Sequence, residues 1–115
     1  MTRPHPGVLV LAGPDTARAV RSAARALGLD VAIAGSLAEL LARLRERAWS
    51  ATVISLAADH VDQPVVRRIA DQPHRGVLIL TTPRVSLERA LLAEEAGAAA
   101  LVPEPPEEEA LAEHL

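Results

Sequence analysis

Three short, uninterrupted apolar runs constrain the fold of this chain more than any other feature. They cover residues 8–11, 51–54 and 77–80. A strand that is covered on both faces shows a continuous apolar run, whereas a strand with one face in water alternates between apolar and polar residues. The runs therefore predict buried strands of a parallel sheet. Weaker runs at residues 31–34 and 99–102 bring the predicted number of strands to about five.

The clearest helical pattern follows the weaker run at residues 31–34. Ser36 and Glu39 form a capping box, in which each residue satisfies a free backbone group at the start of a helix. The leucines that follow are spaced to share one helix face, so the pattern predicts an amphipathic helix that begins just after Ser36. These leucines are Leu37, Leu40, Leu41 and Leu44.

Further helical patterns fill the other intervals between the predicted strands. Asp15 is the expected cap of the first helix, and Gly28, which tolerates a positive φ, is expected to end it. Other helices are predicted near residues 65–69 and from about residue 86 to residue 97. A last, acidic helix is predicted after Pro106.

Strands that alternate with helices at this spacing require right-handed crossovers and predict a doubly wound α/β fold. A chain of 115 residues, half of them apolar, can bury one core of ordinary size. We therefore expect a single domain over residues 1–115, with residues 1–6 as a flexible N-terminus. In doubly wound sheets the functional groups lie beyond the carboxyl ends of the strands. Those ends are Ala12-Gly13, Ser55-Leu56 and Thr81-Thr82.

The composition excludes several classes of function. All twelve basic residues are arginine, so chemistry that needs a lysine ammonium group is excluded. A net charge of −3, with Trp49 as the only aromatic residue, argues against direct nucleic-acid binding by a basic patch and base stacking. The sequence contains no cysteine and no apolar run near the roughly 20 residues of a membrane span. We expect a cytoplasmic protein that binds no membrane, metal or cofactor.

Short motifs at the strand ends carry a resemblance to a known family. Two apolar runs end in Ile54-Ser55-Leu56 and Leu80-Thr81-Thr82, while Ala96-Gly97-Ala98 precedes the last run and Glu104-Pro105 follows it. In this order and spacing the motifs resemble the response-regulator receiver family over nearly the whole chain. The resemblance implies a flavodoxin-like fold with five parallel strands in the order 2-1-3-4-5. It also implies a role in signal transduction within two-component or phosphorelay pathways, which often regulate transcription.

The resemblance also shows what is missing from the family's phosphorylation site. Receivers have an acidic pair after the first strand and a phosphoacceptor aspartate at the end of the third. The corresponding positions here are Ala12, Gly13 and Ser55, so three carboxylates are absent. Magnesium requires oxygen ligands, most of which these carboxylates would supply. The resemblance therefore implies a degenerate site without a metal.

The other site positions are partly retained. Thr81 matches the switch threonine at the end of the fourth strand, whereas Leu101 replaces the usual aromatic residue of the fifth. Glu104-Pro105 stands where the family has Lys-Pro, and a negative charge there repels an incoming phosphoryl group. We therefore predict a pseudo-receiver that acts through protein–protein interaction, without aspartyl phosphorylation and without enzymatic activity.

Receivers commonly bind partners through the face formed by the fourth helix, the fifth strand and the last helix. The resemblance implies that a protein partner, an output domain or a second copy binds this face. In a two-fold homodimer, arginine of one copy would pair with glutamate of the other. Leu87 or Leu91 would add apolar contacts if the core does not bury them. The charged candidates are Arg84, Arg89, Glu104 and Glu108.

Two other hypotheses remain open at this point. An enzyme or a small-ligand binder would use the crevice near Gly13, Ser55 and Thr81. A conventional receiver with a relocated phosphoacceptor would need Asp15 or Asp59 in that role. The last predicted helix is short, which leaves open that the sequence is part of a longer regulator.

Overall fold

The computed structural model describes residues 7–58 and 61–115, and its strands and helices alternate along the chain. The segment predicted to be flexible, residues 1–6, lies outside the described residues, as does the candidate acceptor Asp59. The strands are β1 (Gly7–Leu11), β2 (Asp30–Ile33), β3 (Ala51–Ser55), β4 (Val77–Thr82) and β5 (Ala100–Pro103). The helices are α1 (Pro14–Ala26), α2 (Leu37–Glu46), α3 (Gln63–Ala70), α4 (Leu87–Glu95) and α5 (Glu108–Ala112).

The five strands form one parallel sheet in the order β2-β1-β3-β4-β5. This confirms the predicted doubly wound, flavodoxin-like fold and its strand order. The register places Ser55 of β3 directly beside Thr81 of β4, and Thr82 beside Pro103 of β5. The carboxyl ends of the central strands therefore lie side by side at one edge of the sheet.

The central strands β1 and β3 are mostly apolar because both of their faces are covered. Every residue of β1 and β3 is buried. Alternate residues enter two separate core clusters, with Leu9 and Ile54 in one and Val10 and Val53 in the other. Burial of each large aliphatic side chain contributes about 1.5–3 kcal/mol, so these strands rigidly support the edge that follows them.

The capping box of α2 is confirmed, but the predicted cap of α1 is wrong. The Ser36 hydroxyl accepts a hydrogen bond from the Glu39 amide at 3.1 Å. In α1 the N-cap is Gly13, and Asp15 lies in the first turn. Pro14 explains the difference, because proline has no N–H group and its fixed φ suits the first position of a helix. The predicted end of α1 is confirmed by Gly28, whose φ is 71°.

The two helices with weaker patterns are also present. In α3, the Asp62 carboxylate caps the helix by accepting a hydrogen bond from the Val65 amide at 3.0 Å. The last helix, α5, is short and packs through the buried Leu111 into the cluster that contains Val20 of α1. Within residues 7–58 and 61–115, no helix has both the length and the apolar character needed to cross a membrane.

Candidate functional site

Three hydroxyl groups converge at the carboxyl edge of the sheet. Ser55 and Thr81 end or nearly end neighbouring strands, and their exposed fractions are 2% and 0%. Thr16, in the first turn of α1, is 4% exposed. We call Thr16, Ser55 and Thr81 together the hydroxyl pocket. Buried hydroxyls need hydrogen-bond partners, so the occupant of this pocket defines the site.

The occupant is the side chain of Glu104, the residue that follows β5. Its Oε1 atom accepts hydrogen bonds from Ser55 Oγ at 2.7 Å, Thr81 Oγ1 at 3.0 Å and Thr16 Oγ1 at 3.1 Å. Hydrogen bonds to an ionised acceptor are roughly twice as strong as those between neutral groups. A single carboxylate oxygen therefore joins α1, β3 and β4 to the segment after β5.

The neighbouring backbone fixes Glu104 in this position. Its amide donates a hydrogen bond to the Thr82 carbonyl at 2.7 Å. Ser55 is oriented as well, because its Oγ atom accepts a hydrogen bond from the Ala57 amide at 3.1 Å. A serine hydroxyl has one proton, and that of Ser55 is directed at Glu104. Ser55 is thus both buried and fully hydrogen-bonded.

The negative charge of Glu104 is held by dipoles and not by a cation. In the described part of the chain the ion pairs are Arg43–Glu39 and Arg67–Glu95, and Glu104 takes part in neither. Its side chain is half-buried, so water also contributes to its solvation. The electrostatic role of the three hydroxyls is therefore to stabilise an oxyanion.

The edge does not fit a magnesium ion. Ala12 and Gly13 have no side-chain oxygens, and the Glu104 carboxylate already accepts three hydrogen bonds. Across residues 7–58 and 61–115, no group of three or more His, Cys, Asp or Glu side chains could hold a metal ion. Magnesium needs near-octahedral oxygen ligation, which these residues do not supply.

A crevice of about 1090 Å³ opens beside the hydroxyl pocket. It lies between the starts of α1 and α2, where the small residues Ala12, Gly13 and Gly35 leave room. Ser55 and Glu104 lie in its wall, and the exposed residues Arg18 and Arg21 also line it. The crevice includes Gly13 and Ser55, which the ligand-binding hypothesis names, but Thr81 does not line it.

The structure separates the four charged residues predicted to form an interaction surface. Glu104 is directed into the hydroxyl pocket. The Arg89 guanidinium donates hydrogen bonds to Thr82 Oγ1 and to the Arg84 carbonyl, so it is held against the loop between β4 and α4. Arg84 and Glu108 are exposed. Only these two charged groups of the predicted set are therefore presented to a partner without an internal hydrogen bond.

Three apolar side chains in α4 and just before it are exposed. Val85, Leu87 and Leu91 have exposed fractions of 53%, 77% and 50%. We call these three residues the α4 surface. A groove of about 410 Å³ lies beside it and includes Leu91 and Leu92 in its wall. The core therefore does not bury Leu87 or Leu91, which leaves both available for contact with another protein.

The fold of this chain is also found in solved structures of response regulators. No family model and no curated protein matches the sequence. The structure matches a response regulator from Thermotoga maritima with a TM-score of 0.83 and 21% identity, covering 96% of this chain and 93% of that one.

Two further matches have the same character. The chemotaxis response regulator CheY4 of Vibrio cholerae matches with a TM-score of 0.79 and 17% identity, over 96% of this chain and 95% of that one. The orphan response regulator HP1043 of H. pylori matches with a TM-score of 0.78 and 18% identity, over 96% and 94%. At these identities the likeness shows a shared CheY-like fold.

The sequence motifs indicate three of the four residues of this site, but not Thr16 and not the direction in which the Glu104 side chain points. Ser55, Thr81 and Glu104 were all candidates, and the structure brings them together. Thr16 is not among the residues predicted from the sequence. Its place in the first turn of α1, close to the end of β1, could have indicated that it reaches the site. Glu104 was expected to face an incoming phosphoryl group, whereas its carboxylate itself fills the hydroxyl pocket.

Proposed function

We propose that this chain is a pseudo-receiver, a signalling module that binds other proteins and is not phosphorylated on aspartate. Its place in a phosphorelay pathway and its cytoplasmic location remain predictions. The proposal treats the domain as a regulator of a partner or of an attached output domain, and not as an enzyme. Any link to transcription would pass through that partner.

The observation that carries this proposal is the position of the Glu104 carboxylate. It lies within hydrogen-bond distance of Ser55, the residue at the phosphoacceptor position, and of Thr81, the residue at the switch position. An incoming phosphoryl group would have to displace a negatively charged side chain that already uses both hydroxyls. Like charges at such distances repel strongly in a partly buried site.

The hypothesis of a relocated phosphoacceptor has less support. Asp15 is exposed in the first turn of α1 and makes no hydrogen bond to the hydroxyl pocket. Asp59 lies outside the described residues. A relocated acceptor would still need a positively charged group close to the phosphoryl oxygens. Among the described ion pairs, none joins an arginine to Glu104 in the hydroxyl pocket.

The α4 surface supports the protein-binding half of the proposal. Val85, Leu87 and Leu91 are close in sequence and at least half exposed. Exposed apolar groups clustered in this way often mark sites where another protein binds. A homodimer through the face of α4, β5 and α5 remains a prediction, and Arg84 and Glu108 are the exposed charged residues among those named for it.

A second candidate function rests on the crevice of about 1090 Å³ beside Gly13 and Ser55. Its volume lies just above the range for small-molecule sites, which is about 300–1,000 Å³. Ser55 donates a hydrogen bond to Glu104 and is only 2% exposed, so a substrate would have little access to it as a nucleophile. A bound small molecule in this crevice would therefore act as a ligand and not as a substrate of Ser55.

Titration with magnesium and beryllofluoride, a mimic of the phosphoryl group, tests the pseudo-receiver proposal. We expect no shift in the backbone amide resonances of residues 54–58 or 80–84 in the wild type. A phosphorylatable response regulator under the same conditions is the positive control. Saturable shifts at these residues in the wild type would contradict the proposal.

A further inference from the structure

The hydroxyl pocket has the chemistry of a binding site for a carboxylate. Thr16, Ser55 and Thr81 each contribute one O–H group, and all three protons are directed at one point. Three donors around a single atom match an oxyanion better than a neutral oxygen, which has only two lone pairs. With Glu104 in place, the three hydroxyl-bearing residues are at most 4% exposed.

The occupant belongs to the chain itself. Glu104 directly follows β5, and its Oε1 atom takes the position on which the hydroxyl protons converge. The segment that begins at Glu104 is held a second time by Leu111, which is fully buried against α1. The chain between β5 and α5 is therefore anchored at both ends, first by a charged group and then by an apolar one.

We infer that the hydroxyl pocket is a carboxylate-binding site that the chain fills with Glu104 as a built-in ligand. Because this ligand is always present, the segment from β5 to α5 is held in one position without any phosphoryl group. The inference rests on the proposed function and adds its regulation: the domain is a single-state binding module. A change of state would require Glu104 to leave the pocket.

The inference predicts that an external carboxylate can replace the missing one. In Glu104→Ala the three hydroxyls lose their shared acceptor, and buried hydroxyls without a partner destabilise a fold. We expect the melting temperature to fall by about 5 °C or more. Formate is small enough to enter the vacated space and should raise the melting temperature in a saturable manner, above the effect of sodium chloride at equal ionic strength.

Two controls isolate the pocket. Glu113→Ala removes an exposed glutamate that directly follows α5, and it should show neither the loss nor the response to formate. Ser55→Ala combined with Glu104→Ala removes one donor as well as the acceptor, so its response to formate should be weaker. Hydrogen exchange of residues 101–112 should be faster in Glu104→Ala and should slow again with formate.

If Glu104→Ala does not fold, Glu104→Gln provides the test. Its amide oxygen still accepts hydrogen bonds but carries no charge, so we expect a smaller loss of stability and faster exchange of residues 101–112 than in the wild type. Exchange identical to the wild type in Glu104→Gln and Glu104→Ala would overturn the inference. So would a formate effect of equal size in Glu104→Ala and Glu113→Ala. Either result would remove the Glu104 contact that supports the proposed function, whereas the beryllofluoride titration of the wild type tests phosphoryl binding by itself, so the two failures are distinguishable.

Discussion

The hydroxyl of Ser55 donates a hydrogen bond of 2.7 Å to the carboxylate of Glu104. By the receiver pattern, the first residue stands where an aspartate is expected and the second where a lysine is expected. The carboxylate that Ser55 contacts therefore comes from the residue after β5, and among the described residues it forms no ion pair with an arginine.

The variant Ser55→Asp should destabilise the domain near neutral pH. It places a second carboxylate within hydrogen-bond distance of Glu104, and two adjacent negative charges repel. The loss should shrink as the pH is lowered, because protonation of either acid removes the repulsion. Urea unfolding at neutral and acidic pH measures this, with Ser55→Asn as the uncharged control. Equal losses for the two variants at both pH values would show that the charge of Glu104 is not in the pocket.

Ser55→Asp alone should also fail to restore magnesium binding, because Ala12 and Gly13 still supply no carboxylate. Adding Ala12→Asp and Gly13→Asp should improve binding, because it supplies two further carboxylates. Position 13 can accept a side chain, since its φ is −67° and no atom lies within 4 Å of an added Cβ. Isothermal titration of this series is the measurement. Tight binding by the single variant would mean that other ligands exist.

Substitutions in the α4 surface should weaken self-association or partner binding. Leu87→Ser removes a side chain that is 77% exposed, so the folded monomer should keep its stability. If the side chain is buried in a dimer, its loss should weaken association about ten-fold or more. Leu27→Ser, at 48% exposure directly after α1, is the control.

Light scattering over a concentration series gives the apparent mass of each variant. Arg84→Glu tests the charged part of the predicted two-fold contact more cleanly than Arg89→Glu, which would also break the hydrogen bonds to Thr82 and the Arg84 carbonyl. A wild-type dimer that neither Leu87→Ser nor Arg84→Glu weakens would place the interface elsewhere on the molecule.

The fold itself makes a prediction at Gly76. This glycine has a φ of 63°, and a Cβ there would lie 2.3 Å from the Trp49 carbonyl oxygen. Gly76→Ala should therefore cost more than the roughly 1–2 kcal/mol of a left-handed alanine alone. Gly28→Ala is the control, because Gly28 has a φ of 71° but open space around its Cβ. Urea unfolding should show a clearly larger loss for Gly76→Ala, and equal losses would contradict the predicted clash.

The sequence predicts the fold well because the determining signals are local. Continuous apolar runs mark the strands that are covered on both faces, and the capping box at Ser36 marks the start of α2. The one incorrect cap has a local cause too, since Pro14 begins α1 a residue ahead of Asp15. Strand ends are equally local, so Ser55 and Thr81 could be assigned to the site.

The rest of the site depends on side-chain orientations that are set only in the folded protein. Thr16 reaches Glu104 across 88 positions of sequence, and no local pattern encodes that hydrogen bond. The sequence indicates that a negative charge replaces a positive one at position 104. It does not indicate that the carboxylate turns inward onto three buried hydroxyls, because that choice depends on donors from α1, β3 and β4 together.

The intact mass of the wild-type chain after incubation with acetyl phosphate and magnesium tests the central claim most directly. Glu104 occupies the position that a phosphoryl group would need, and the acidic pair and the lysine are absent, so the mass should not change. A phosphorylatable receiver treated in parallel should gain the mass of one phosphoryl group. A stable gain of that mass by this chain, located on Ser55 or Asp59, would contradict the account.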